Sequence, residues 1–394
     1  MNKNRYRIIF NRARGLMMAV AEIATGRGNA PGTTTGITIA DPVSATLRPM
    51  AYALLVALGM VTLLSQPVRA QITADQTAPT NQQPIVTQTA NGVPLVNIQT
   101  PSAAGVSRNT YTQFDVGSQG VILNNARVNT QTQLGGWIQG NPYLPGSSAR
   151  VILNEVNSAN PSQLLGYIEV GGSRAQVVIA NPAGVTCDGC GFINASRATL
   201  TTGTPILNGG NLDGYLVQRG QVAVQGAGLD ASQTDYTDLI ARAVSVNAGI
   251  WAQQLGVTAG ANQVNAANTL ATPIAGNGTT PAVAIDVAAL GGMYANKITL
   301  IGTEAGVGVN NAGHIGAAAG DVVISANGRL VNSGQITSAA NISSASGDLG
   351  NSGTLSAQGL EVFDKSGNFR WAMNLDGTVN QVKTAAATGR RLPK

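Results

Sequence analysis

The sequence predicts an all-β protein, a right-handed parallel β-helix that begins with an N-terminal cap. Three observations lead to this fold class. Only 10% of the 394 residues are charged, against roughly 25% in a typical domain, and 49 are glycine. Short β-branched runs alternate with turn residues from Val93 onward, and corner segments recur about every twenty residues. Stacked coils need small inward aliphatic side chains and Gly or Asn corners, so composition and pattern agree.

The strand signals are short apolar runs bounded by Gly, Asn, Ser, Asp or Pro, a pattern typical of strands. The clearest runs are Val121–Leu123, Val151–Leu153, Val177–Ile179 and Val322–Ile324.

Internal repeats indicate how these strands stack. A corner of the form Asn-x-Gly-x-Ile/Leu begins at Asn311, Asn332 and Asn351, at spacings of 21 and 19 residues. Earlier in the chain, Val121–Asn124 recurs as Val151–Asn154 and Gly136–Gln139 as Gly166–Glu169, both after 30 residues. We expect equivalent segments to lie on one another in successive coils. A β-sandwich with similar turn spacing is the alternative.

An export signal is predicted near residue 50. Arg48 precedes the apolar run Met50–Leu64, and the small-x-small sequence Val68-Arg69-Ala70 follows it. The run is shorter than the roughly 20 apolar residues of a spanning helix, and this order is typical of a secretory signal. Cleavage after Ala70 would make Gln71 the mature N-terminus. An uncleaved anchor or a buried helix is the alternative.

The charge distribution argues against nucleic acid as a partner. Residues 1–70 carry a net charge of +6 and residues 361–394 one of +3, whereas residues 71–360 carry −4. The basic balance thus comes from the two ends, and the middle of the chain lacks a basic stripe.

The N-terminus resembles the extended signal-peptide region of large Gram-negative exported proteins. The matching residues are Met1–Lys3, Tyr6-Arg7, Phe10-Asn11 and Val20–Glu22. The resemblance implies passage through the Sec translocon into the periplasm and then to the outer membrane. Residues 28–49 are less regular than the family pattern.

A second resemblance rests on ordered motifs between residues 97 and 194. These are Asn97–Asn109, Tyr111–Val116, Asn141–Leu144, Ala149–Val156, Ala175–Val185 and Cys187–Asn194. Together they resemble the two-partner secretion (TPS) domain of filamentous-haemagglutinin-like exoproteins, over residues 85–340. The family includes adhesins and contact-dependent growth-inhibition toxins.

This resemblance implies a secreted or cell-surface protein that passes through a partner β-barrel transporter in the outer membrane. The partner's periplasmic modules would bind the unfolded TPS segment, and a host or neighbouring-cell surface would be the later target. The resemblance implies no cofactor. Two other functions remain open: a carbohydrate-active lyase or hydrolase built on a β-helix, and a non-functional, truncated gene product.

Two Asn-Pro motifs are candidates for transporter recognition: Asn141, Pro142, Tyr143 and Leu144, and Asn181, Pro182, Ala183 and Gly184. Tyr143 and Ala183 each stand where the family pattern has Asn. Asn can cap a turn through its side chain and Pro fixes φ, so both turns are expected to form. Each motif is also explained by an ordinary solenoid corner.

Cys187 and Cys190 are the chain's two cysteines. Their spacing is compatible with a redox pair, half a metal site or a local disulfide. Structural zinc needs four ligands, and a thioredoxin-type site needs a βαβ context that the sequence lacks. We therefore expect a disulfide and no metal site.

Few residues suit catalysis. His314 is the one histidine, and Gln335 and Thr354 take its place in the related corners, which predicts a solvent-facing position. Asp230, Asp235 and Asp238 form the densest acidic cluster. A carbohydrate-active enzyme would need two carboxylates facing one groove. A solvated loop face explains the cluster better, so we expect no enzyme.

The predicted organisation has five parts. They are an extended Sec signal peptide at 1–70, an N-terminal cap at 71–110, the TPS domain at 85–340, the start of haemagglutinin-type repeats of about 20 residues at 300–360, and a basic, aromatic tail at 361–394. We expect the regular coils to end near Gln358.

Signal cleavage gives a first testable prediction. Exported protein should begin at Gln71, because the apolar run and the small residues Val68 and Ala70 that follow it form a processing site for signal peptidase. Mass spectrometry of the N-terminal peptide measures this. A mature product that retains Met50–Leu64 would contradict the signal-peptide interpretation.

Overall fold

The computed structural model describes residues 71–374 and, separately, an antiparallel hairpin formed by Tyr6–Asn11 and Leu16–Ala21. The predicted apolar signal core and the bond after Ala70 lie outside the described residues. Among the described residues, no helix is long and apolar enough to span a membrane.

The structure consists of short strands and one 3-10 turn at Thr80–Gln82. In chain order the strands are β1 Tyr6–Asn11, β2 Leu16–Ala21, β3 Ile72–Ala74, β4 Ile85–Gln88, β5 Pro94–Asn97, β6 Val106–Phe114, β7 Val121–Asn125, β8 Thr130–Thr132, β9 Gly136–Ile138, β10 Val151–Val156, β11 Ser162–Leu164, β12 Tyr167–Gly172, β13 Ala175–Ala180, β14 Val185–Ile193, β15 Ala195–Thr201, β16 Thr204–Asn208, β17 Asn211–Val217, β18 Gln221–Ala231, β19 Tyr236–Ala241, β20 Ala243–Val246, β21 Gly249–Ala252, β22 Gln254–Ala259, β23 Asn262–Asn265, β24 Ala271–Pro273, β25 Val283–Val287, β26 Gly292–Ala295, β27 Lys297–Gly302, β28 Gly308–Asn311, β29 His314–Ala317, β30 Val322–Asn332, β31 Gln335–Ser338, β32 Asn341–Asn351, β33 Thr354–Ser356, β34 Gly359–Asp364 and β35 Phe369–Asn374.

Parallel pairing arranges these strands in three columns, which confirms the predicted parallel β-helix. The first column runs through β6, β10, β13, β15, β19, β22, β27, β30, β32 and β34. The second runs through β11, β14, β18, β20, β25, β28, β30 and β32. The third runs through β5, β7, β12, β14, β18, β21, β26, β29, β31 and β33. Long strands such as β14 and β18 therefore bend around a corner and serve two columns.

One continuous apolar core fills the centre of the coils. Ile152, Val177, Leu200 and Leu239 of the first column are at most 1% exposed and belong to it. Alternate residues of each strand point inward, as strand geometry requires. The core is aliphatic because side chains of this size fit between neighbouring coils without a gap.

Two added sheets cover parts of the outer surface. The four-stranded sheet β16-β17-β23-β24 packs on the first column through Leu212 and Tyr215, over Leu153 and Val178. The hairpin β8–β9 packs on the start of the third column, where Ile138 lies over Ile122. Strands buried on both faces read as continuous apolar runs, which explains three of the four runs seen in the sequence.

The 30-residue repeat was wrongly interpreted as stacked coils. Val121–Asn125 pairs with Ile168–Gly172 in the third column, whereas Val151–Glu155 pairs with Gln176–Ala180 in the first. Gly136–Ile138 lies in the added hairpin. The two segments resemble each other because each is covered on its outer face, and that similarity does not require them to touch.

The shorter spacings of 21 and 19 residues are true coil repeats. Asn311 pairs with Asn332, and Asn332 with Asn351. Nδ2 of Asn311 donates to Oδ1 of Asn332 at 2.7 Å, and Nδ2 of Asn332 donates to Oδ1 of Asn351 at the same distance. The corner asparagines thus form a ladder of amide hydrogen bonds along the solenoid.

Antiparallel strands occupy both ends of the described coils. At the N-terminal end, β3 pairs antiparallel with β6, and β4 with β5. At the other end, β34 still pairs parallel with β32, and β35 folds back antiparallel on β34. The regular coils therefore extend to Asp364 instead of ending near Gln358, because Val362 remains buried against the last coil.

The asparagine ladder gives a second prediction. Asn332→Ala removes the central amide, so Nδ2 of the buried Asn311 keeps only its bond to the carbonyl oxygen of Gln335, and Oδ1 of the exposed Asn351 loses its donor. A loss of about 1–3 kcal/mol in the free energy of unfolding is expected, which is the usual cost of removing a partner from one buried polar group. Urea denaturation followed by circular dichroism measures it. Asn247→Ala, at an exposed corner, is the control and should change stability by less than about 0.5 kcal/mol. Equal effects of the two substitutions would refute a stabilising ladder.

Candidate functional site: the asparagine–proline corners

The first Asn-Pro motif forms a corner beside the N-terminal cap. Nδ2 of Asn141 donates to the carbonyl oxygens of Ile98 at 2.9 Å and Asn124 at 2.8 Å. Its Oδ1 accepts the backbone N–H of Tyr143 at 2.9 Å, which is the side-chain turn expected for Asn at this position. Asn141 is buried, so its amide is used entirely inside the protein.

The second motif repeats this arrangement after the first column. Nδ2 of Asn181 donates to the carbonyl oxygen of Asn160 at 2.9 Å and to Oγ of Ser162 at 3.0 Å. Oδ1 accepts the N–H of Ala183 at 2.9 Å. Gly184 has a φ of 130°, which favours glycine over any residue with a side chain. Asn181 is completely buried and joins one coil to the coil before it.

The surface of each motif comes from its other residues. Pro142 is exposed, Tyr143 is half-buried and Leu144 is buried in the core. In the second motif, Pro182 and Ala183 are half-buried. Both turns form despite the substitutions at Tyr143 and Ala183, because the capping hydrogen bond reaches the backbone of the third residue, whatever its side chain.

A disulfide joins Cys187 and Cys190 inside β14, where the strand turns from the second column into the third. Both cysteines are buried and belong to the central core. Gly189 between them has a φ of 78°, and the pairing with β18 shifts register at this point. The bridge therefore spans a bulged corner six residues after Asn181.

The three acidic residues of the sequence cluster are held by separate partners. Asp230 accepts from the hydroxyl of Tyr167 at 2.8 Å. Asp235 pairs with Arg174 at 3.0 Å and Asp238 with Arg197 at 3.1 Å. Asp235 lines a surface groove of about 490 Å³, and Asp238 lines another cavity of about 290 Å³. Each of these two spaces thus has one carboxylate in its lining, whereas the enzymatic alternative needs two in one groove.

Asp238 has the most perturbed carboxyl group of the cluster. Burial beneath the four-stranded sheet raises its pKa to about 6, although Arg197 and a hydrogen bond from Asn268 oppose that rise. This environment has a structural explanation, because the carboxylate ties the turn that contains Asn268 to the first column.

Two further corner asparagines escaped the sequence interpretation. Asn125 donates through Nδ2 to the carbonyl oxygens of Ala149 and Ser173, and its Oδ1 accepts the N–H of Ala149. Asn194, at a φ of 58°, donates to the carbonyl oxygens of Val170 and Gly172. Neither precedes proline. The signal that could have found them is an Asn directly after an apolar strand.

The corner geometry gives a third prediction. Asn181→Ala should lower the free energy of unfolding by about 2–4 kcal/mol, because two acceptors and one backbone donor lose their partner. Pro182→Ala keeps these bonds and should cost less than about 1 kcal/mol. Urea denaturation of both variants measures the contrast. A larger loss for Pro182→Ala would mean that the fixed φ, and not the amide, holds the corner.

Comparison with known proteins places this geometry in a family. A family model described as "TPS secretion domain" matches residues 70–332, and one described as "Extended Signal Peptide of Type V secretion system" matches residues 1–48. The crystal structure of a filamentous hemagglutinin secretion domain superposes with a TM-score of 0.66 at 32% identity, over 75% of this chain and 98% of that one.

Two relatives are more similar in sequence. "Toxin CdiA" of Yersinia pestis is 59% identical over 363 residues, which is 91% of this chain and 11% of the relative. "tRNA nuclease CdiA-2" of Burkholderia pseudomallei is 51% identical over 347 residues, 86% of this chain and 11% of the relative. The chain thus spans about a tenth of the length of these relatives. With its extended signal peptide and its capped β-helix, the chain belongs to the TPS secretion-domain family, whose members are exported to the cell surface by two-partner secretion.

Proposed function

We propose that this chain carries out the export step of an exoprotein of the contact-dependent inhibition group. The support is the identity of 59% with "Toxin CdiA", against 32% with the filamentous hemagglutinin domain. The residues that match, 70–332, belong to a secretion domain rather than to a catalytic module. The later target of such an exoprotein would be a neighbouring cell, and an adhesive role toward a host surface is the second candidate.

The proposed route passes through the Sec translocon and then through an outer-membrane β-barrel transporter. The transporter's periplasmic modules would bind the unfolded chain by β-augmentation, since an extended segment offers its backbone N–H and C=O groups. The observation that carries this proposal is the arrangement of the first coils. Antiparallel strands β3–β5 close the N-terminal end, so each later coil can add to a surface already formed.

Folding of the coils outside the outer membrane would then drive transport of the chain to completion. Each added coil advances the solenoid by about 4.8 Å, buries aliphatic side chains and pairs a strand in every column. It also satisfies a corner amide, as between Asn311 and Asn332. Backward movement would break these contacts, so the sequential gain in stability supplies a direction without a nucleotide.

Within this scheme the two Asn-Pro motifs have two successive roles. In the folded protein Asn141 and Asn181 are buried, so their side chains are accessible to a transporter only before the corner closes. Recognition through Asn141–Leu144 and Asn181–Gly184 would therefore act on the unfolded chain. The disulfide between Cys187 and Cys190 would form in the periplasm or later, because it closes only as β14 bends.

The division of the chain is also proposed. A signal peptide at 1–70, a cap at 71–110 and a secretion domain at 85–340 would act in that order during export. Residues 300–360 would begin the repeats, and within residues 361–394 strand β35 would close the last coil by pairing with β34.

An export assay tests the proposal and gives a fourth prediction. The chain, produced together with the transporter, should reach the medium, and omission of the transporter should leave it in the periplasm. Asn181→Ala and Asn141→Ala should each lower the exported fraction severalfold. Asn125→Ala is the matched control, because this buried corner asparagine also donates two bonds and accepts one but lies outside both motifs. Pulse-labelled export measures all three variants.

The outcomes separate recognition from stability. Export that falls in Asn141→Ala and Asn181→Ala but not in Asn125→Ala supports recognition of the motifs. An equal fall in all three variants would reduce the motifs to structural corners. Release into the medium without the transporter would overturn the two-partner route itself.

A further inference from the structure

The outer surface of the third column carries an unusual pattern of aromatic residues and glycines. Two neighbouring rows run across β21, β26 and β29, and their residues alternate with the buried Ile250, Met293 and Ile315. In register, the first row is Gly249, Gly292 and His314, and the second row is Trp251, Tyr294 and Gly316. Each aromatic residue of one row therefore has a glycine beside it in the other.

These glycines allow the rings to lie flat on the sheet. A Cβ on Gly249 would lie 2.6 Å from Cη2 of Trp251, and one on Gly292 would lie 2.6 Å from Cε2 of Tyr294. A Cβ on Gly316 would lie 2.8 Å from Cε1 of His314. Any larger residue at these positions would push the rings away from the backbone.

The result is a continuous surface of three rings that is nearly flat across Trp251 and Tyr294 and tilts by 38° at His314. The rings of Trp251 and Tyr294 are inclined by only 17°, with centroids 6.3 Å apart, and the His314 ring lies 5.1 Å from that of Tyr294. Trp251 is 45% exposed and Tyr294 39%. We call Trp251, Tyr294 and His314 the aromatic platform.

Amide side chains border the platform. Gln253 and Asn296 each follow a platform ring by two residues, and Nδ2 of Asn296 donates to Oε1 of Gln253 at 2.6 Å. Both line the groove of about 490 Å³. This volume lies within the range of about 300–1,000 Å³ that is usual for small-ligand sites. The remaining lining residues are Asp235, Gln254, Lys297, Ala319 and Gly320.

We propose that the aromatic platform and the adjoining groove bind an oligosaccharide without net charge. The exposed ring faces carry partial negative charge, which attracts the C–H groups on one face of a sugar ring. The amides of Gln253 and Asn296 can exchange hydrogen bonds with hydroxyl groups at the edge of that sugar. A flat apolar surface beside a row of amides therefore matches the two kinds of surface that a pyranose presents.

Charge and size favour this occupant over others. Asp230 is in register with Trp251 and Tyr167 donates to it. Burial opposes its ionisation, but hydrogen bonds from Ser232 and Tyr167 outweigh burial and lower its pKa. Asp230 places a fixed negative charge next to the rings, and the groove lining adds one carboxylate, Asp235, and one cation, Lys297, so no excess of positive charge is present to hold a polyanion. The platform is also only three rings wide, whereas a stable protein interface buries about 1,600 Å².

Binding to defined sugars tests the proposal and gives a fifth prediction. The purified full chain is titrated calorimetrically with maltohexaose, cellohexaose and chitohexaose, and with heparin as a polyanion. At least one neutral hexasaccharide should bind. Trp251→Ala and Tyr294→Ala should weaken that binding by about tenfold or more, because each removes one stacking face. Trp251→Phe, which keeps a ring, should retain most of the affinity.

Trp137→Ala is the control, because this tryptophan is 71% exposed but lies on the added hairpin. It should leave the affinity unchanged, and circular dichroism checks that each variant is folded. No binding of the three hexasaccharides at millimolar concentration would overturn the proposal, as would heparin binding alone or equal affinity in Trp251→Ala. Self-association that Trp251→Ala abolishes, without sugar binding, would assign the platform to a second copy of the chain instead.

Discussion

Each coil of this protein depends on the coil beside it for its backbone hydrogen bonds and for its apolar contacts. An isolated coil would expose Ile152 or Val177 on one side and leave unpaired N–H and C=O groups along every strand. Stacking buries these apolar side chains and also pairs these backbone groups, so stability accumulates along the solenoid axis. The low charge of the chain follows from the same constraint, because a charged side chain pointing inward would have no partner.

Corners are the positions at which stacking needs particular residues. At a corner the strand ladder is interrupted, and backbone groups would remain unpaired without help from side chains. Asn supplies a donor and an acceptor in one short side chain, and Asn125, Asn141, Asn181 and Asn194 each use Nδ2 to bridge to backbone carbonyl groups of other segments. Buried asparagines thus provide hydrogen bonds to the backbone groups at the corners, as strand pairing does along the faces. In the proposed export route the domain folds as it emerges, and this division would favour such folding, since every coil closes with its own local bonds.

The outer surface is where the coils differ. The four-stranded sheet covers part of the first column and the hairpin β8–β9 covers the start of the third, so the apolar side chains beneath them are buried. Farther along the third column, Trp251 and Tyr294 remain exposed and lie over glycines. The core therefore accounts for the fold, and the uncovered surface is the part of the molecule available for recognition.

Local sequence was sufficient for the strand class, the solenoid and the coil spacing after Asn311, because each depends on residues that are neighbours along the chain or on a regular repeat. Similar apolar runs at Val121 and Val151 misled the interpretation, since the cover over each strand comes from distant segments. The burial of Asn141 and Asn181 could likewise not be predicted from the sequence, because their acceptors include Ile98 and Asn160, well before them in the chain.

The aromatic platform depends on register between β21, β26 and β29, and insertions of unequal length separate these strands. Only folding brings Trp251, Tyr294 and His314 together, because lateral pairing, and not chain distance, sets which side chains are neighbours.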